Sequence, residues 1–290
     1  MATKKKPTKM KSLAHGRPPL AKPLKNATIS SKATRTLIRS HHNLEKQKAK
    51  ALAEKDHVKI AALTEQIEAQ GGIESYQKAS LLGQANDRGG DSSRVLVEWL
   101  APLTEQLQNL AANGRPARLL EVGALSITNA CSKSGLFDVE RIDLNSQAEG
   151  IKQQDFMARP LPQDGKERFD VISLSLVLNY VPDAIGKGQM LLQTLKFLRT
   201  IGTPTTAKHM FPCLFLVLPA PCVLNSRYMD EGRMESIMQS LGYEMLQKKI
   251  TNKLLYYLWH LTGEVKPGIK FRKEELRSGK TRNNFAIIIK

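Results

Sequence analysis

The chain has 290 residues, 41% of them hydrophobic, which suffices for one large domain with an extension. No apolar run reaches the roughly 18 residues of a membrane span, and no apolar stretch follows the charged start, so neither a membrane segment nor a secretory signal is expected. The formal charge of +17 sits at the ends: residues 1–60 carry 16 Lys/Arg against 3 Asp/Glu, and residues 246–290 carry 11 against 3, a pattern that fits a polyanionic partner or, alternatively, solubility and nuclear import.

Residues 1–27 hold too few large apolar side chains to fold alone and are expected to form a disordered basic tail. Within them Lys4, Lys5, Lys6, Lys9 and Lys11 suit nuclear or nucleolar import and phosphate contact. From Ser30 or Ser31 the apolar spacing turns helical: Leu37, Ile38, Leu44, Ala49, Leu52 and Ala53, then Val58, Ile60, Leu63 and Ile67, up to Gly71-Gly72. This basic helix pair reads either as an RNA-contacting element or as a solvated one packed on the domain. His41 and His42 are neighbours in sequence and so point to different helix faces, which argues against a metal pair. A short helix over 73–82 and a polar loop follow, with Arg88 and Gly89-Gly90 as candidates for the lid of a site. Asp91-Ser92-Ser93 caps a helix through Val95, Leu96, Trp99 and Leu100 that kinks or restarts at Pro102 and runs to Leu110. Residues 28–114 thus form a helical N-terminal extension.

Strand one spans about 117–122 and strand two about 138–144. Strand three ends near Gln153-Gln154-Asp155-Phe156. The nearly continuous apolar run 169–178 reads as a strand buried on both faces. Pro182-Asp183-Ala184 opens a helix through Met190, Leu191, Leu195 and Leu198. Cys213–Pro219 is a fifth strand, and Met234, Ile237, Met238 and Leu241 mark one helix face. Two strands, Tyr243–Ile250 and 253–261, join through Thr251-Asn252 as a hairpin. The order predicts an α/β fold over 115–262: a mostly parallel, seven-stranded, doubly wound sheet with helices on both faces and a reversed final strand. Residues 263–290 form a basic C-terminal tail whose run Asn284-Phe285-Ala286-Ile287-Ile288-Ile289 either docks as an edge strand or stays loose. The three cysteines, Cys131, Cys213 and Cys222, lack metal spacing and read as buried small hydrophobes in a reducing compartment; no metal is expected.

Chemistry concentrates at two strand ends. Gly123 closes strand one and lets the backbone approach a ligand. Asp143 closes strand two and can accept hydrogen bonds from both ribose hydroxyls. Together they outline a nucleotide-binding half. Only Gly123 stands where a full Gly-x-Gly-x-x-Gly has three glycines, and an ordinary turn glycine with a surface Asp is the alternative.

Several stretches carry a resemblance: Leu119-Leu120-Glu121-Val122-Gly123-Ala124-Leu125, Arg141-Ile142-Asp143-Leu144-Asn145, Gln154-Asp155-Phe156, the run from Phe169 through Asn179-Tyr180-Val181-Pro182, and Leu218-Pro219-Ala220-Pro221-Cys222-Val223-Leu224-Asn225-Ser226-Arg227-Tyr228. Over roughly residues 73–262 they resemble the fungal 25S ribosomal RNA adenine-N(1)-methyltransferase family. The resemblance implies a Rossmann-like class I methyltransferase. Such an enzyme is nucleolar and moves a methyl group from S-adenosylmethionine to N1 of an adenine in large-subunit rRNA. An animal relative serves instead as an S-adenosylmethionine sensor, so a cofactor-binding regulator, or an assembly factor without turnover, is the alternative. Carried over by position, Gly123 and Asp143 would contact the cofactor, and Glu121 would organise the turn or meet the methionine amine. Asp155 would accept from adenine N6 while Phe156 donates through its backbone. Leu125 stands where the family of folds usually has a second glycine. Asn179 and Tyr180, after strand four, fall where the target base is contacted, Asn179 by hydrogen bonding and Tyr180 by stacking. Asn225, Arg227 and Tyr228 fall on the same rim after strand five. There Arg227 suits a phosphate or the cofactor carboxylate and Tyr228 a second stack. The plainer roles are helix capping for Asn225 and Ser226 and core packing for Tyr180. The expected partner is ribosomal RNA or a pre-ribosomal large subunit in the nucleus and nucleolus, met by a monomer, with neither metal nor membrane.

Overall fold

Residues 31–83, 90–146, 148–200 and 210–290 are described in the computed structural model; the readings of 1–27, Arg88 and Gly89 fall outside them. Three helices come first: α1 (Ser31–Glu54), α2 (His57–Ala69) and α3 (Gly72–Gly83). Lys55, at φ 56°, ends α1, and Asp56 then starts α2 by accepting from the Lys59 N–H at 3.0 Å. Leu44, Ala51, Leu63 and Ile67 form a small core between α1 and α2. Two further helices, α4 (Ser93–Leu100) and α5 (Thr104–Ala112), flank a short tight turn at Ala101–Leu103. Pro102 sits in that turn because its missing N–H is tolerated at a helix start.

The sheet holds β1 (Ala117–Val122), β2 (Phe137–Asp143), β3 (Lys152–Gln153), β4 (Val171–Ser175), β5 (Cys213–Pro219), β6 (Tyr243–Ile250) and β7 (Leu254–Leu261). Between them lie α6 (Ala130–Lys133), α7 (Ala184–Phe197), α8 (Ala220–Leu224) and α9 (Glu231–Ser240). The strand order is β3-β2-β1-β4-β5-β7-β6. The first five strands are parallel, and β7 runs antiparallel to both β5 and β6. The expected hairpin therefore forms, with its second strand placed inside the sheet and its first at the edge. Burial explains the choice. Leu255, Tyr256, Tyr257, Leu258 and Trp259 of β7 are all buried, whereas β6 presents Gln247, Lys248 and Lys249 to solvent.

Alternate residues of each strand face opposite sides and meet different helices. Leu120, Ile172, Leu174, Leu216 and Leu218 pack with Met190, Leu191 and Phe197 of α7 and Met234, Ile237 and Met238 of α9. Leu119, Val171, Phe215 and Val217 pack with Leu96 and Leu100 of α4 and Leu107 of α5. Strand β4 is shorter than its apolar run because Leu176 adopts φ 59°, which stops the ladder and turns the chain outward.

The C-terminal segment wraps the domain as a strap. Ile287 and Ile289 are buried in the core beneath α7, with Phe271 and Phe285 packed beside them. The Ile288 N–H donates to Ala184 O at 2.9 Å, and bridges link Ser226 with Asn283 and Phe271 with Ile289. Among the described residues no helix is long and apolar enough to cross a membrane.

Candidate functional site at the carboxyl edge of the sheet

The chain winds from β1 outward to β3, then crosses back to place β4 on the other side of β1. In such sheets the crevice at this reversal, between the carboxyl ends of β1 and β4, is the position where ligands bind. Gly123 follows β1 there with φ 73°. Its N–H and that of Ala124 donate to Ile142 O, at 2.8 and 3.1 Å, which ties the turn to the end of β2. A Cβ at Gly123 would stand 2.6 Å from Cγ2 of Val177, just past β4. Glycine is required here twice over, by dihedral and by space.

Glu121 points into a buried polar cluster. Asn129 Nδ2 donates to both its carboxylate oxygens, at 2.7 and 2.8 Å. Asn129 is itself fixed as the cap of α6, its Oδ1 accepting from the Ser132 N–H and hydroxyl. Arg141 donates to the Ser132 hydroxyl from Nε and Nη2. Asp91 closes the other side, accepting from the Ala130 N–H at 2.5 Å and from the Ser93 N–H and hydroxyl. Burial pushes the Glu121 carboxyl up to about 7, against the opposing pull of Asn129 and Arg141. A buried acid poised near neutrality is a receptor for a cationic group.

Asp143 ends β2, half-buried, with Oδ1 accepting from the Asn145 N–H at 2.8 Å. Burial raises its carboxyl above the usual range, partly offset by that bond. Gln154 N–H donates to Asp143 O, which carries the chain on to Asp155 and Phe156. Asp155 is exposed and accepts from the Met157 N–H at 2.8 Å, while Phe156 is buried against Phe197. Asn179 stands on the opposite lip. Its Oδ1 is buried and accepts no hydrogen bond from the described residues. A buried acceptor without a donor takes a ligand N–H once its side chain turns outward. Tyr180 follows, its ring packed against His42 of α1 and Tyr76 of α3.

The motif after β5 lies on the same edge but is engaged with the strap. Arg227 donates from Nη1 to Asn284 Oδ1 at 2.5 Å and from Nη2 to Gly279 O at 3.0 Å. Asn225 Nδ2 donates to Thr281 O, and its backbone oxygen accepts from Asn283. Tyr228 lies under the Lys273 ammonium, 4.4 Å from the ring centre. Thus Glu121, Gly123, Asp143 and Asn179 gather around one crevice, with Asp155 and Phe156 beside Asp143. Asn225, Arg227 and Tyr228 form a second group held by the C-terminal segment. Sequence reasoning missed Asp91 and Asn129. The spacing Asn129-x-x-Ser132 is a legible helix cap, yet nothing local says that its amide reaches back to β1.

The two strand ends fit a nucleoside-bearing methyl donor: a glycine bend and a buried acid at the end of β1, and a carboxylate at the end of β2. The family model described as 25S rRNA (adenine(2142)-N(1))-methyltransferase, Bmt2, matches residues 61–287, from within α2 to the C-terminal strap. The chain is 42% identical over 252 residues to the 25S rRNA adenine-N(1) methyltransferase of Schizosaccharomyces pombe, covering 87% of this chain and 89% of that one. It is 36% identical over 254 residues to the 25S rRNA (adenine(2142)-N(1))-methyltransferase of Saccharomyces cerevisiae, covering 86% of this chain and 70% of that one.

Proposed function

Because the chain belongs to the 25S rRNA adenine-N(1)-methyltransferase family, we propose that its crevice holds S-adenosylmethionine and presents N1 of one rRNA adenine to it. The protein is an rRNA adenine-N(1) methyltransferase, a class whose donor is of the S-adenosylmethionine type. The observation that supports the reading is Gly123 at φ 73°, following β1 where the strand order reverses and next to the end of β2, inside the stretch that the family model matches. When bound, the sulfonium supplies an already activated methyl group, so the protein needs no nucleophile of its own.

Each residue then has a bounded task. Gly123 lets the main chain pass close to the methionine part. Asp143 holds the ribose hydroxyls, and Glu121, ionised, faces the methionine amine. Asp155 and the Phe156 backbone flank the adenine ring of the donor. Asn179 offers Oδ1 to the N6–H of the target adenine, which fixes the ring and leaves N1 unblocked. Methylation at N1 makes the base cationic, so an acceptor at N6 gains strength as the reaction proceeds. Adenine N1 carries a lone pair and is unprotonated near neutrality, so orientation of an extruded base supplies much of the acceleration. Arg227, Asn225 and Tyr228 shape the neighbouring rim through the strap. The basic ends of the chain support a nucleolar address and contact with pre-ribosomal RNA.

The test is transfer of a labelled methyl group from the donor to unmodified 25S rRNA, followed by mapping of the modified atom. Label at adenine N1 is expected from the wild type. Asn179→Ala should lower kcat by about 10²-fold while leaving donor affinity near wild type. Donor binding without any transfer to RNA would overturn the reading.

A further inference from the structure

Two of the N-terminal helices reach the rim described above. The His42 ring of α1 packs on Tyr180 with centres 3.9 Å apart. Tyr76 of α3 meets Tyr180 edge-on at 5.5 Å and His42 at 5.9 Å, and stacks on His41 at 4.7 Å. Tyr180 adjoins Asn179, the residue proposed above to meet the target adenine. An aromatic wall built from two separate units of the chain therefore stands beside the target position.

Positive charge gathers at the same junction. Lys46 lies one helical turn beyond His42, is exposed, and acts on His42, Lys187 and Cys222. Lys187 of α7 is buried, 3% exposed, and donates from Nζ to Val181 O at 2.6 Å and Asp183 O at 3.2 Å. Burial first, and then Lys46, hold the Lys187 ammonium down to about 8; burial, Lys46, His41 and Lys187 hold His42 to about 4. The acids that answer are Asp183, already capping α7 through the N–H groups of Ile185 and Gly186, and Glu45, which acts on His41. Lys46 and Lys187 carry like charges that act on each other. An anion would relieve the repulsion.

We propose that this junction is an RNA subsite: Lys46 takes a phosphate next to the target adenosine, and the rings of His42, Tyr76 and Tyr180 form the wall against which a flanking nucleotide rests. The N-terminal helices are then part of the substrate site. The inference rests on the rRNA reading above and adds residues outside the sheet domain to it. Aromatic faces beside a backbone-tracking cation are the usual construction for single-stranded RNA, and an extruded target leaves its neighbours single-stranded.

The experiment uses the full chain and an unmodified 25S rRNA fragment. RNA affinity is measured across a KCl series by fluorescence anisotropy, S-adenosylhomocysteine affinity by calorimetry, and Tm by circular dichroism. Lys46→Ala should weaken RNA binding several-fold and flatten the salt slope by about 0.7, the value for one phosphate on a single strand. The same variant should keep its S-adenosylhomocysteine affinity, and its Tm should hold or rise because a repulsion is removed. His42→Ala should weaken RNA binding by about tenfold, and His42→Phe should recover most of the loss. Unchanged RNA affinity and slope in Lys46→Ala would overturn the proposal, as would a loss of RNA binding that only tracks a fall in Tm. A wild type that binds RNA yet transfers no methyl group would instead sink the enzymatic reading, while the Lys46 comparison would still decide this one.

Discussion

At the residue scale, Glu121 makes the site sensitive to pH in two opposite ways. Its folded carboxyl titrates near 7 against an ordinary value of 4.5. Between those two, the folded state binds more protons than the unfolded one, so this group's contribution to stability falls as pH rises from 4.5 to 7. Ligand binding runs the other way. A cationic methionine amine favours ionised Glu121, so affinity should climb as pH rises toward 7 and level off above it. Calorimetry with S-adenosylhomocysteine should show up to about a tenfold gain per pH unit below that point, and Glu121→Gln should flatten the curve. Persistence of the slope in Glu121→Gln would reassign the titrating group. Gly123 offers a second test. Gly123→Ala sets a Cβ 2.6 Å from Val177 Cγ2 and forces φ 73° on an L residue. The expected outcome is a loss of about 1–3 kcal/mol in urea unfolding together with weakened donor binding. Adding Val177→Ala should return the steric part and leave the dihedral cost.

Elements show where the sequence was legible and where it was not. Strands β1, β5 and β6 run where their apolar patterns and flanking turns put them, because buried parallel strands and a two-residue turn write themselves locally. The place of β7 between β5 and β6 is a nonlocal fact. It depends on which hairpin strand has both faces apolar, and the run Leu255 to Trp259 carried that signal. Glu121, Gly123 and Asp143 stand out as motif residues in the sequence; the contacts of the Asn129 amide with Glu121 and of the His42 ring with Tyr180 do not, since each arrives from a distant element. The strap was ambiguous for the same reason: Asn284 to Ile289 has too few residues to declare a partner by itself. Its partner is the small-residue face of α7. A Cβ on Gly188 would run into the carbonyl oxygen of Ile288. In an ordinary helix interior, Gly→Ala gains about 1 kcal/mol. Here the sign should reverse. Gly188→Ala should lower Tm by several degrees and loosen the strap, read as faster hydrogen exchange at the Ile288 amide. A raised Tm would mean that the strap is not seated on α7.

On the scale of the whole molecule, the charge of residues 1–30 and the proposed donor site lie in separate stretches of the sequence. In the proposed reading the donor meets Gly123, Asp143 and Glu121, none of which belongs to the basic ends. Residues 1–30 bear 8 Lys/Arg and no Asp/Glu, so any RNA contact they make is a matter of phosphate neutralisation. Removing them should therefore change RNA affinity steeply with salt and leave donor affinity alone. Each phosphate that is no longer neutralised lowers the slope of log K against log salt by roughly 0.7–0.9. With the tail removed, RNA binding near 50 mM salt should weaken most, the curves with and without it should converge as salt rises, and adenine selectivity should hold. Under the proposed reading selectivity holds because Asn179, which would meet the target adenine, remains in place. Changing Lys46 should flatten the same slope by the share of a single phosphate, and the two effects should add, since the tail and the rim would meet different phosphates. A fall in donor affinity on removing residues 1–30 would instead tie this stretch to donor binding.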